Sequence, residues 1–170
     1  DPNTPLVVPE VNGGTAARHN GIIANPNCVA VILTVAVAPF HRAVAIRRIV
    51  VSTYQSASGA GLAAMQELQS QTKDVLEGRE ATPKALPHQI AFNVFSHNTA
   101  VGPDGYNGEE VKVMAETRKI LADPDLAITA TCVRVPVPRA HSESINLSLK
   151  QPLSPEAART LLAGAAGVEI

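Results

Sequence analysis

The two cysteines of this 170-residue chain stand in different sequence contexts. Cys28 follows a polar loop and directly precedes an apolar run that is typical of a buried helix or a pair of strands. The start of a helix lowers the pKa of a thiol, so Cys28 is a candidate nucleophile, and a small buried side chain is the alternative. Cys132 lies inside an apolar segment typical of a strand, which predicts a packing role.

A cysteine nucleophile usually works with a base, and histidine is the usual choice. The five histidines of the chain are His19, His41, His88, His97 and His141. His141 has the most distinctive setting, a polar segment between two predicted strands, where functional side chains often project. The residue types alone do not choose among the five, and a solvated loop histidine remains the alternative.

Three charged residues have positions that call for a partner. Arg134 follows apolar residues at the even positions of segment 128–132, so its cation falls on an otherwise apolar strand face. That placement needs a carboxylate, either of the protein or of a ligand. Glu109 and Lys112 stand three residues apart on one face of a predicted helix, a spacing that a surface ion pair also produces.

Composition argues against several classes of protein. With 14 Lys and Arg against 15 Asp and Glu, and only 3% aromatic residues, the chain has neither the charge nor the stacking surface of a nucleic-acid binder. The apolar run 29–40 is too short to span a bilayer. Two cysteines without zinc-ligand spacing predict no metal site and a reducing compartment, and no secretory signal is expected.

Hydrophobic period and turn residues predict the elements around these residues. Strand patterns cover 46–54, 90–95, 126–137 and 144–150, and helix patterns cover 62–76, 109–121 and a segment after Ser154. In helix 62–76 the residues expected to face the core are Leu62, Met65, Leu68 and Leu76. Because the order lacks strict βαβ alternation, the predicted fold class is α+β, a mixed β-sheet with helices packed on one face.

A glycine pattern lies between a predicted strand and a predicted helix. Residues 59–64 (GAGLAA) match the dinucleotide-binding pattern G-x-G-x-x-A. A Rossmann fold is disfavoured because the next predicted strand carries no acidic residue at its end. A glycine loop that lets a ligand approach the backbone is the favoured interpretation.

Four segments carry more specific motifs. They are residues 23–28 (IANPNC), 52–61 (STYQSASGAG), 108–117 (GEEVK followed by AET) and 132–143 (CVRVPV followed by HSE). In this order they resemble the motifs of aspartate-semialdehyde dehydrogenases, with the first similar to the nucleophile motif. One departure is that Val29 and Ala30 follow the cysteine, where the family commonly has small hydroxyl residues.

The resemblance covers nearly the whole chain but only the catalytic half of the family's protein. It implies that residues 1–170 form a catalytic and dimerisation domain, similar to that of glyceraldehyde-3-phosphate dehydrogenase, and that the N-terminal NADP-binding domain is absent from this chain. The implied reaction is NADPH-dependent reductive dephosphorylation of β-aspartyl phosphate to aspartate β-semialdehyde, in lysine, threonine and methionine biosynthesis. The domain alone is expected to be inactive.

The resemblance also implies a role for each site residue. Cys28 would form a thioacyl intermediate, His141 would be the general acid/base, and Gln55 would position the substrate beside the thiol. The remaining assignments are Arg134 to the substrate α-carboxylate, Glu109 to its amino group, Lys112 and Asn27 to phosphate, and Ser58 and Gly59 to NADP.

The implied partners are the small-molecule substrate, a second copy of the chain in a homodimer, and the missing NADP-binding domain, with no nucleic acid and no membrane. The expected location is the cytoplasm, or the plastid stroma for a plant or alga. Two alternatives are an inactive dimerisation module and a related acyl-phosphate reductase.

Overall fold

The structure is a computed structural model that describes residues 3–170. Its helices are α1 (Pro9–Asn12), α2 (Cys28–Val44), α3 (Leu62–Leu76), α4 (Gly108–Leu121) and α5 (Pro155–Ala163), with 3₁₀ helices at Gly13–Arg18 and Ala57–Ala60. Its strands are β1 (Ile46–Gln55), β2 (Phe95–Ser96), β3 (Ala127–Arg134) and β4 (Ser142–Leu149).

The four strands form one mixed sheet in the order β2-β3-β1-β4. Phe95 of β2 lies opposite Arg134 of β3 in an antiparallel pair. Along β4 exposed residues alternate with half-buried ones, because successive side chains of a strand point to opposite faces. The predicted α+β class is therefore confirmed, and so is the alternation predicted for residues 144–150.

The chain divides into two compact units. The first comprises the residues up to Val51 together with Lys112–Thr129 and Ile145–Ile170, and the second comprises Ser52–Val111 and Ala130–Ser144. Strands β1, β3 and β4 each begin in one unit and end in the other.

The first unit is built around α2. One core cluster joins Val8, Ala30 and Ile120, which are all at most 3% exposed. The apolar run that begins at Val29 is thus helical, and it forms part of a core rather than a pair of strands. At the opposite end of the chain, the hydroxyl of Ser154 accepts the backbone N–H of Ala157 and begins α5, as the sequence predicts.

The second unit contains α3, whose bounds agree with the predicted helix 62–76. Its predicted core face is wrong at both ends, since Leu62 is 65% and Leu76 is 73% exposed. Two polar residues, Glu67 and Gln71, are buried along this helix beside Leu68. They are buried because they bind the backbone of the loop that follows.

The predicted strand 90–95 is also wrong. Ile90 and Ala91 are buried, but their backbone N–H groups donate to Oε1 of Gln71, at 2.8 and 3.3 Å, instead of to a neighbouring strand. Only Phe95 and Ser96 are in a strand. The two apolar residues produce a strand-like sequence pattern, although a glutamine side chain and not a strand binds their backbone N–H groups.

No helix within residues 3–170 is long and apolar enough to cross a membrane.

Candidate active site

Cys28 is the first residue of α2 and its side chain is exposed. The helix begins there because Oδ1 of Asn27 accepts the backbone N–H groups of Val29 at 3.0 Å and Ala30 at 3.3 Å. Exposure rules out the alternative in which Cys28 is a small buried side chain. The thiol instead lies at the positive end of a helix of 17 residues.

A carboxylate holds the loop before this helix. The backbone N–H of Asn27 donates to Oε2 of Glu116 at 2.6 Å, and both residues belong to the first unit. Pro26, immediately before it, is buried. Glu116 lies in the AET part of the third sequence motif, so this bond gives that motif residue a structural role at the cysteine loop.

Cys132 has the opposite environment. It is fully buried, and burial raises the pKa of its thiol to about 11, with the carboxylates of Glu110 and Glu109 adding to the rise and the Thr53 hydroxyl opposing it. The side chain is therefore a protonated thiol and a poor nucleophile. Its burial agrees with the packing role expected from the sequence.

Gln55 and Glu109 form a buried polar pair in the second unit. Gln55 is 1% and Glu109 is 6% exposed, and Nε2 of Gln55 donates to Oε1 of Glu109 at 3.0 Å. The hydroxyl of Thr53 donates to Oε1 of Gln55 at 3.1 Å, and the backbone N–H of Glu109 donates to Oγ1 of Thr99 at 3.0 Å. A carboxylate this deeply buried is no member of a surface ion pair, so that interpretation of Glu109 fails.

Arg134 is buried on β3, as its place in the strand predicts, and is 4% exposed. Its Nη1 donates to the backbone oxygen of Ser56 at 3.2 Å, and its Nη2 lies 3.0 Å from Nε2 of His97. A guanidinium only donates, so Nε2 of His97 accepts and the proton of this ring lies on Nδ1, which is 3.3 Å from Oγ1 of Thr99. His97 and Ser56 thereby fix the direction of the guanidinium.

His141 is half-buried just before β4, and it follows Ala140, whose φ of 68° is uncommon for a residue with a side chain. Its Nδ1 accepts the backbone N–H of Ser56 at 3.0 Å. Burial lowers the pKa of His141, the charge of Arg134 lowers it further, and Glu109 opposes both. The ring is thus held by its Nδ1 edge and favours the neutral form.

Gly59 packs against the other edge of this ring. A Cβ added at Gly59 would lie 2.8 Å from Cε1 and 3.0 Å from Nε2 of His141, and 3.1 Å from Nη1 of Arg134. Those distances are too short for any side chain in this arrangement, so the glycine is required by a close approach. Gly59, one of the two residues predicted to contact NADP, therefore lies beside His141.

The second unit brings together six of the nine residues singled out in the sequence: Gln55, Ser58, Gly59, Glu109, Arg134 and His141. The other three belong to the first unit and are Asn27, Cys28 and Lys112, of which Lys112 is exposed on α4. Within residues 3–170 no group of three His, Cys, Asp or Glu side chains is placed to hold a metal ion.

Two residues of the site were not identified from the sequence. His97 was one of the four histidines without a distinctive setting, and only the three-dimensional structure places it on Arg134. Ser56 lies next to Gln55 inside the second motif, so the motif was the signal, but a serine in a loop gave no reason to connect it with His141.

Known proteins share this arrangement of elements. The family model described as semialdehyde dehydrogenase, dimerisation domain, matches residues 37–170. Aspartate-semialdehyde dehydrogenase of Synechocystis sp. is 52% identical over 169 residues, which make up 99% of this chain and 50% of that protein. A crystal structure of aspartate semialdehyde dehydrogenase II from Vibrio cholerae gives a TM-score of 0.96 at 42% identity, over 99% of this chain and 51% of that one.

The same Vibrio cholerae protein complexed with ASA also gives a TM-score of 0.96. Fold and site together define an α+β domain with an exposed cysteine at a helix start, a buried arginine and glutamate, and a half-buried histidine. The chain belongs to the semialdehyde dehydrogenase family and carries its dimerisation domain. It spans about half the length of the relatives that it matches.

Proposed function

We propose that the chain is the catalytic and dimerisation part of an aspartate-semialdehyde dehydrogenase, which reduces β-aspartyl phosphate to aspartate β-semialdehyde on the route to lysine, threonine and methionine. The observation that carries the proposal is the pair of buried charged groups, the carboxylate of Glu109 and the guanidinium of Arg134. Their charges shift the pKa of His141 in opposite directions, upward for Glu109 and downward for Arg134. Buried charges of opposite sign match the ammonium and carboxylate groups of an amino acid.

Each charged end of the substrate then has a partner. The guanidinium of Arg134 binds the α-carboxylate through its planar fork, and Glu109 binds the α-ammonium group. Gln55, already bonded to Glu109, places the reacting carbonyl. Lys112 and Asn27 contact the phosphate, and since Oδ1 of Asn27 caps α2, its contact comes from Nδ2.

The reaction begins at Cys28. Its thiolate attacks the acyl carbon, the carbon–oxygen bond to phosphate breaks, and the phosphate leaves and takes one proton from solvent water, so that the substrate becomes a thioacyl group on Cys28. NADPH, when bound, supplies the hydride that reduces this group to the aldehyde. The carbon–sulfur bond then breaks and the thiolate is restored, with His141 as the acid/base residue near the reacting oxygen.

The cofactor and partners follow from the same proposal. Gly59 lies against His141, the proposed acid/base residue, and Ser58 precedes it in the same turn, so these two residues would line the nicotinamide end of NADP. Because the chain spans about half of its relatives, we propose that the remaining half supplies the main NADP-binding domain. The match to a dimerisation domain supports a homodimer.

The first test is the rate of Cys28 alkylation as a function of pH, in the longer protein that carries this chain. Cys132→Ala provides the background without the second thiol. We expect the thiol to titrate well below the ordinary value of about 8.5, and to titrate higher after His141→Ala. An ordinary titration that is insensitive to His141 would remove the proposed activation of Cys28.

The second test is turnover, followed as NADPH formed from aspartate semialdehyde, phosphate and NADP. We expect Cys28→Ser to abolish turnover and Cys132→Ala to retain it. Glu109→Gln separates the proposal from a related acyl-phosphate reductase, since it should reduce the preference for a substrate that bears an amino group. Absence of turnover in the correctly folded longer protein would instead support an inactive dimerisation module.

A further inference from the structure

Ser56 contacts two ionisable groups of the site, Arg134 and His141. It is fully buried, its backbone oxygen accepts from Nη1 of Arg134 at 3.2 Å, and its backbone N–H donates to Nδ1 of His141 at 3.0 Å. Its hydroxyl lies 3.1 Å from the same Nδ1 and 2.9 Å from the hydroxyl of Ser58. One residue thus provides two groups to a single ring nitrogen.

The two groups differ in what they can do. A backbone N–H only donates, so Nδ1 of His141 must accept from it with a lone pair. A neutral imidazole carries one proton, which then has to lie on Nε2. When the ring takes up a second proton, at Nδ1, the hydroxyl of Ser56 is the group that can turn to accept it, because its own proton can pass into a bond with Ser58.

We propose that Ser56 is a positioning residue that holds neutral His141 as the Nε2–H tautomer. Resting on the proposed function, this inference deepens it: Nε2, the nitrogen nearest Gly59, carries a hydrogen in both the neutral and the charged ring. The acid/base role assigned to His141 then becomes hydrogen-bond donation from Nε2 to the oxyanion that forms on the thioacyl carbon.

The ring is already biased towards the neutral state. Burial and the charge of Arg134 lower the pKa of His141, and Glu109 is the one charged group that opposes them among those identified around the ring. A neutral donor is a weaker acid than an imidazolium, but it keeps its hydrogen bond across the whole pH range in which the enzyme would work. For hydrogen-bond donation from Nε2, the tautomer of neutral His141 therefore matters more than the pKa of its ring.

The test is nuclear magnetic resonance of the longer protein that carries this chain, with heavy-nitrogen-labelled histidine and with His141→Ala to assign the signal. In the wild type we expect the shifts of a protonated Nε2 and an unprotonated Nδ1 above the pKa of His141. A ring protonated on Nδ1, or an even mixture of tautomers, would overturn the inference whatever the activity of the protein.

Ser56→Ala supplies the second measurement, because it removes the hydroxyl and keeps the backbone N–H. We expect the same tautomer and a His141 pKa lower by about one pH unit, since the charged ring loses its acceptor. Ser58→Ala is the matched variant and should give a smaller drop. An unchanged or higher pKa in Ser56→Ala would overturn the hydroxyl's role. These readouts need no turnover, so an inactive protein with the expected tautomer would contradict only the proposed function.

Discussion

One amide side chain, that of Asn27, determines where the helix that carries Cys28 begins. Its Oδ1 accepts two backbone N–H groups of the first turn, and its own N–H is held by Glu116. The sequence predicts Asn27 as a phosphate contact through the family resemblance. The structure adds a capping role, so the amide side chain before Cys28 has a function that does not require a bound substrate.

Replacing Asn27 by Ala should therefore affect stability and reactivity together. Loss of the cap should lower the free energy of unfolding by about 1 kcal/mol. The first turn of α2 should fray, so alkylation of Cys28 should become slower at neutral pH. Denaturant unfolding and alkylation rates measure the two effects.

Ser154→Ala is the matched control, because Ser154 caps α5 within the same unit and has no part in the proposed site. It should lower stability by a similar amount, about 1 kcal/mol, and leave the alkylation rate of Cys28 unchanged. If both variants slow alkylation equally, the effect is one of general stability and the local argument is wrong.

Helix α3 shows what an element's sequence can and cannot predict. Gly61 and Gly78, at φ of 91° and 73°, mark its ends, and glycine is the residue that adopts such angles without strain. Its bounds were therefore predictable. Its buried face was not, because hydrophobic period gives no weight to a glutamate, and Glu67 is buried for the backbone groups that it binds.

Glu67 fastens the loop after α3 to the helix. Its Oε2 accepts the backbone N–H groups of Lys84, at 3.0 Å, and of Ala85, while Oε1 accepts from Nε2 of Gln71 at 3.1 Å. All four residues lie in the second unit. A carboxylate suits the position because both of its oxygens accept and neither donates.

Glu67→Gln keeps the shape of the side chain but replaces one accepting oxygen with a donor. We expect the free energy of unfolding to fall by about 1–3 kcal/mol, because a buried N–H loses its partner. The amides of Lys84 and Ala85 should also exchange faster with solvent. The neighbouring exposed residue provides the control, Gln66→Ala, which should change neither; equal exchange in both variants would show that Glu67 does not hold the loop.

At the scale of the molecule, the sequence predicts the fold class and the family but not all of the polar contacts of the site. The α+β class followed from the order of elements, and the family followed from four motifs, so Gln55, Glu109 and Arg134 could be named in advance. Ser56 and His97 could not, because they act through nitrogen and oxygen atoms that only the folded chain places on His141 and Arg134. The polar partners of a site carry little sequence signal.

Glu143, in the HSE motif, influences the stability of the whole molecule. Its Oε1 is buried and has no hydrogen-bond partner within residues 3–170, and burial raises the pKa of this carboxyl from 4.5 to about 8. Between these two pH values the folded chain holds a proton that the unfolded chain releases. The free energy of unfolding therefore falls as the pH rises through this window.

Glu143→Gln removes the titrating group and keeps a side chain of similar shape. We expect wild type and variant to be similarly stable at pH values below 4.5, and the variant to be more stable by about 1–2 kcal/mol once the pH reaches 8, after allowing for solvent screening. Unfolding in denaturant across this pH range measures the difference. Glu156→Gln, at an exposed carboxyl of α5, should retain the wild-type slope. A slope that survives in Glu143→Gln would mean that another group titrates, and that the buried carboxyl finds water or a partner in solution.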